Sequence, residues 1–253
     1  QLVLDKEWTQ AAKFFKKQRK VRQDYKKAYK ICKDLAPLSP WSSITEFIDD
    51  LLEGQNNIQN INKMKTKILF ASANPFGQQP IRTDLEQRKI VDRLARSNHR
   101  DKFKLKTIAA TEFMTFAQEF AEFEPEIVHF SGHGDDSGLV FETTEGDSHL
   151  VEADAVESIF DVLNETVKCV VLNACYSKKQ ARKISKSGIY VVGMSDEIPD
   201  DAAGGFSEGF YIAIAAGQSF ESAFRLGKTA IKASGNKDSY WIPQLWYKGE
   251  VVS

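Results

Sequence analysis

From residue 67 onward, short apolar runs alternate with longer stretches whose apolar positions recur at helical spacing. Ile68-Leu69-Phe70-Ala71-Ser72, Ile127-Val128-His129-Phe130-Ser131 and Val170-Val171-Leu172-Asn173 are apolar at consecutive positions. Runs of this kind predict strands covered on both faces inside a parallel sheet. Residues 103–108 alternate apolar and polar, and residues 189–194 and 244–252 add two further strands, the last at an edge. Residues 138–142 and the stretch to Leu150 read as a β-hairpin turning at Gly146-Asp147. Helical spacing covers residues 83–94, 111–123, 153–163, 178–187, 200–217 and 219–234. Thr83 and Glu86 read as the capping box of the first of these, and Gly188 as the C-cap of the fourth. Phe113, Phe116, Ala117, Phe120 and Phe123 form a core-facing stripe. Alternation of strand and helix predicts an α/β domain: a mostly parallel six-stranded sheet with helices on both faces.

A small helical segment precedes this domain, which divides the chain at 1–63 and 64–253. Residues 8–35 contain no Gly or Pro, with Trp8, Ala11, Ala12 and Phe15 at helical spacing, and Pro37 and Pro40 break the run. Ser43 and Glu46 open a second helix, Gly54 ends it, and residues 55–60 are a polar linker. The first helix is dense in Lys and Arg. Its aromatics sit at core spacing and are not interleaved as a stacking platform, so a solvated face or a protein contact is expected over direct nucleic-acid binding. So few helices bury little core by themselves, so this segment is expected to be a regulatory or adaptor module that packs on a partner or on the main domain.

Composition changes the picture little. A net charge of −1 over 253 residues gives no bias toward nucleic acid or membrane. No apolar run reaches the length of a membrane helix, and the start lacks the basic-then-apolar order of a signal peptide. The chain opens on Gln1 and not Met, which leaves room for a preceding module. Cys32, Cys169 and Cys175 are an odd set without disulfide or metal spacing. A cytoplasmic setting is therefore expected, with no metal and no cofactor.

The chemistry concentrates at two strand ends. One apolar run finishes in Ser131-Gly132-His133-Gly134 and the next in Asn173-Ala174-Cys175. Open α/β sheets gather functional groups at the carboxyl ends of their strands. If these strands are neighbours, an imidazole and a thiol share a crevice. A thiol needs an activating base at neutral pH, and histidine suits that task. The backbone N–H groups of Gly134 and Cys175 are candidates for an oxyanion hole. A backbone carbonyl near Asn74 or Pro75 would suffice to orient His133. Cys169 and Cys32 are assigned to packing, His129 to a core or supporting role, and His99 and His149 to the surface. A phosphate loop is disfavoured, because the glycine spacing is wrong and no Lys-Ser/Thr follows. A serine hydrolase through Ser131 lacks the G-x-S-x-G elbow.

His129-Phe130-Ser131-Gly132-His133-Gly134 and Val171-Leu172-Asn173-Ala174-Cys175-Tyr176-Ser177 resemble the signature blocks of CHAT-domain proteases, members of the caspase-like clan. Val191-Val192-Gly193-Met194, Phe210-Tyr211 and Ile242-Pro243-Gln244-Leu245-Trp246-Tyr247 follow the same family's course, so the resemblance spans about residues 66–253. It implies a caspase-like sandwich and a Cys–His dyad, with Cys175 as nucleophile and His133 as general base and acid. It also implies peptide-bond hydrolysis of a dedicated protein partner, in prokaryotic defence or programmed cell death. In that clan the pocket for the residue before the scissile bond (P1) is built from a residue after the first strand, the position two before the Cys and the loop after the following strand. Those regions are here residues 74–82, then Asn173, then Ser195, Asp196 and Glu197. Asp196 or Glu197 could bind a basic side chain, although the neutral Asn173 weakens the case. The competing expectation is a caspase-like scaffold or interaction module without turnover. The segment after Cys175 is short, so a single intact chain is expected at rest.

Overall fold

In the computed structural model, residues 65–163 and 165–253 are described. The readings placed on residues 1–63, Cys32 and the basic helix among them, lie outside that range. Seven strands form the main sheet in the order β2-β1-β3-β6-β7-β8-β9. They are β1 (Thr66–Ser72), β2 (Phe103–Ile108), β3 (Ile127–Ser131), β6 (Cys169–Asn173), β7 (Tyr190–Met194), β8 (Pro243–Tyr247) and β9 (Glu250–Val251). The pairs from β2 through β7 are parallel, and β8 and β9 add antiparallel. A separate hairpin joins β4 (Gly138–Glu142) to β5 (Ser148–Glu152).

Strand side chains alternate between two cores. Ile68, Phe70, Ile127, Cys169 and Val171 face α1 (Thr83–Arg96), α5 (Asp200–Ala215) and α6 (Phe220–Ala233). Leu69, Ala71, Val128, Phe130, Val170 and Leu172 face α2 (Phe113–Phe123), α3 (Ala153–Leu163), α4 (Lys178–Ser185) and the hairpin. Phe116, Phe120 and Phe123 of the predicted stripe are buried in this second core. A fully buried Phe contributes about 2 kcal/mol, so two such layers hold the strand ends firmly. Among the described residues no helix is long and apolar enough to cross a membrane.

Two expectations change. The edge segment is two strands, because Lys248 (φ +52°) and Gly249 (φ +81°) are both left-handed and reverse the chain tightly. Among the described residues the sheet therefore has seven strands and not six. Nor is Glu86 a cap. The N-cap of α1 is Arg82, no side chain caps it, and Glu86 is buried in the protein at 6% exposure.

Candidate active site

β3 and β6 are adjacent and parallel, with Ser131 opposite Asn173. The loops that follow them therefore leave the sheet side by side. His133 and Cys175 line one cleft together with Ile81, Gly132, Ile198 and Asp200. The glycines beside His133 are required by close approach. A Cβ on Gly132 would come within 2.9 Å of the Phe130 ring and 3.1 Å of the Ala73 carbonyl. One on Gly134 would lie 2.9 Å from the Cys175 carbonyl oxygen, so the backbones of the two loops pack directly on each other. Immediately after Cys175, Tyr176 takes φ +55°, a left-handed conformation that turns the chain sharply off the strand. The Ser177 hydroxyl steadies this turn by donating to the Leu172 carbonyl and accepting from the Met194 N–H.

The orienting partner of His133 is a backbone carbonyl. Nε2 lies 2.9 Å from the oxygen of Gln79, in the loop between β1 and α1. A carbonyl only accepts, so Nε2 carries the proton and Nδ1 is the basic nitrogen. The loop that supplies Gln79 is pinned by the Asn74 side chain, which bonds both the N–H and the carbonyl of Ile81. The expectation of a carbonyl near Asn74 or Pro75 names the right loop, and the atom lies a few residues further on. The N–H groups of Gly134 and Cys175 are not spent on any backbone carbonyl among the described residues.

Cys175 is half-buried. Burial pushes its thiol up from the ordinary value, the backbone N–H of Ile198 pulls it down, and the charges of Glu197 and Asp200 push it up again. The net direction is upward, so the thiol is protonated at neutral pH until a base acts on it.

Behind the cleft stands a polar cluster that the sequence reading does not contain. Alternation along β3 and β6 turns His129, Ser131 and Asn173 toward α1 and α5. Glu86 meets them there. Its Oε2 accepts from Ser131 Oγ at 2.6 Å, and its Oε1 accepts from Asn173 Nδ2 at 2.6 Å and from the Ser207 hydroxyl. His129 Nε2 lies 3.0 Å from Oε1, close enough for an ionic contact but off the direction of a hydrogen bond. The other His129 nitrogen, Nδ1, is 3.3 Å from the Tyr211 hydroxyl. Burial pushes the Glu86 carboxyl up, but the facing His129 and the hydrogen bonds from Ser131 and Ser207 outweigh it and hold it below the ordinary carboxylate value. Sequence carries one signal for this role: Glu86, Ile90 and Leu94 repeat at intervals of four and share the buried face of α1.

Of the residues assigned to substrate, Asn173 lines the cleft and is buried. Asp196 and Glu197 are exposed and lie outside the cleft lining, which takes its acids from Glu86 and Asp200. The Asp196 carboxylate accepts from the Glu197 N–H instead, and its backbone carbonyl from the Tyr176 N–H. Cys169 and His129 are fully buried, and His99 and His149 are exposed.

A mostly parallel sheet between helical layers, ending in this cleft, is the architecture of caspase-like cysteine proteases. A secreted C11 cysteine protease from Bacteroides thetaiotaomicron, solved with an irreversible peptide inhibitor, superposes with TM-score 0.50 at 11% identity, over 73% of this chain and 66% of that one. The Arg-specific cysteine proteinase gingipain R gives TM-score 0.51 at 12% identity, over 70% of this chain and 44% of that one. At these identities the likeness is one of fold. The chain belongs to the CHAT domain family, whose model matches residues 50–247. A Roc-COR-CHAT protease of Runella zeae is 27% identical over 155 residues, 60% of this chain and only 16% of that protein's length.

Proposed function

We propose that the chain is a regulated cysteine endopeptidase in which Cys175 is the nucleophile and His133 the general base and acid. The observation that carries this is the hydrogen bond from His133 Nε2 to the Gln79 carbonyl, which frees Nδ1 as a base in the cleft that Cys175 also lines. His133 takes the thiol proton, the thiolate attacks the scissile carbonyl, and the imidazolium returns the proton to the leaving amine. The N–H groups of Gly134 and Cys175 receive the oxyanion. Water then attacks the acyl-enzyme, with His133 again as base, and frees the thiol.

The substrate in this proposal is a dedicated protein partner, cut in prokaryotic defence or programmed cell death, within a cytoplasmic setting. A regulatory protein engages the N-terminal segment. The test is cleavage of a fluorogenic peptide library by the native chain, Cys175→Ala and His133→Ala. Turnover by the native chain alone supports the proposal. Equal turnover by native chain and Cys175→Ala rules out the thiol as nucleophile.

A further inference from the structure

The β4–β5 hairpin lies outside the cleft lining, yet it touches both partners of the His133–Gln79 bond. At its base the Val140 N–H donates to the His133 carbonyl at 3.0 Å, and Gly134 pairs with Leu139. At its tip the Gly146 carbonyl accepts the Phe76 N–H at 2.8 Å, and Ser148 Oγ accepts from Gln78 Nε2 at 3.3 Å. Between base and tip, Glu142 Oε1 accepts the Asn74 N–H at 2.7 Å, the one hydrogen bond of that side chain among the described residues.

The loop from Asn74 to Ile81 does not place Gln79 by burial, because residues 76–80 are all exposed. Hydrogen bonds have to place it. The Asn74 side chain closes the neck of the loop by bonding Ile81, so the neck sits where the Asn74 backbone sits. Asp200 holds the far side by accepting the Arg82 N–H. Glu142 holds the near side from a firm base. Its own N–H donates to the Thr111 carbonyl at 3.0 Å, the Thr111 hydroxyl donates to the Ser72 carbonyl at the end of β1, and Phe141 beside it is buried in the second core.

We infer that Glu142 is a positioning residue for His133: by holding the Asn74 N–H it seats the loop so that the Gln79 carbonyl meets Nε2, while the same hairpin holds the His133 backbone. The effect on turnover rests on the peptidase reading of the cleft. The acceptor oxygen is the working part, and glutamine would supply one in its place.

The experiment uses the full chain with 15N-labelled histidine and observes the imidazole N–H protons by NMR. Of the four histidines, His99 and His149 are exposed and exchange fast, and His133→Ala identifies the His133 signal against that of buried His129. A protected Nε2–H is expected for His133 in the native chain and in Glu142→Gln, and its loss to solvent exchange in Glu142→Ala. With a peptide ester, Glu142→Ala should lower kcat about 10–100-fold with KM changed less than about twofold, and Glu142→Gln should restore most of it. Glu142→Leu keeps the bulk without the acceptor, behaves like the alanine variant, and serves where that variant fails to fold. A His133 Nε2–H that stays protected in Glu142→Ala or Glu142→Leu overturns the inference, as does a native chain that shows no protected Nε2–H. So does Glu142→Gln failing as badly as Glu142→Ala, which would make Glu142 a general stabiliser. Loss of the signal in Glu142→Ala with no ester turnover by any form, native included, supports the hold on His133 and counts against the peptidase reading alone.

Discussion

His133 Nε2 donates to the Gln79 carbonyl across 2.9 Å, and this one bond decides which imidazole nitrogen can act as a base. The arrangement needs no third side chain, since a backbone oxygen fixes the tautomer as well as a carboxylate would. His133→Ala removes the proposed base and should lower kcat/KM by about 10²–10⁴. Steady-state kinetics on one peptide substrate checks it.

The ionisation of Cys175 follows from its surroundings. Burial and the charges of Glu197 and Asp200 outweigh the Ile198 N–H, so the thiol titrates above its ordinary value of 9.0. Its folded pKa is raised, so the folded state holds the proton more tightly than the unfolded chain. The alkylation rate of Cys175 in His133→Ala should therefore still be rising with pH beyond that ordinary value. A plateau near neutral pH would contradict this.

Gly134→Ala tests the packing of the two loops. The added Cβ would sit 2.9 Å from the Cys175 carbonyl and 3.1 Å from the Ala174 Cβ, both on rigid backbone at a strand end. Overpacking of this kind costs about 1–3 kcal/mol and should also displace the Gly134 N–H from the oxyanion position. The expected result is a lower Tm with a larger loss in kcat than in KM.

Glu86 links the cleft to acid stability. Its folded pKa is held below the unfolded value, so its contribution is present in full above that unfolded value and fades as pH falls through the folded one. Glu86→Gln should lose about 1–3 kcal/mol at neutral pH, because Gln keeps one acceptor oxygen but loses the charge that strengthens the bonds from Ser131, Asn173 and Ser207. The loss should shrink in acid. Urea unfolding of both proteins across the acid range measures it.

The strands, the helices and the cleft that His133 and Cys175 share are legible because their signals are local: consecutive apolar runs, helical spacing, and Gly-His-Gly at a strand end. Gln79 was not, since a backbone carbonyl leaves no mark in side-chain chemistry. Glu86 was hidden by a coincidence of spacing, because Thr83 and Glu86 satisfy the capping pattern while the carboxylate is drawn inward by donors on three other elements. Asp196 and Glu197 are acids in the loop to which the family resemblance points. Nothing in the sequence says that the Asp196 carbonyl holds the Tyr176 N–H while Asp200, a few residues on, reaches the cleft. The final hairpin reads as one strand in the sequence because a lysine in the left-handed region has no strong signature.

The central claim is that Cys175 forms a covalent acyl bond to substrate with His133 as its base. The most direct measurement is mass spectrometry of the full chain quenched during turnover of a peptide ester, with the adduct mapped by digestion. An acyl group on Cys175, absent in Cys175→Ala and strongly reduced in His133→Ala, is the predicted result. Product formation that persists undiminished in Cys175→Ala, with no adduct on the native chain, would contradict the account.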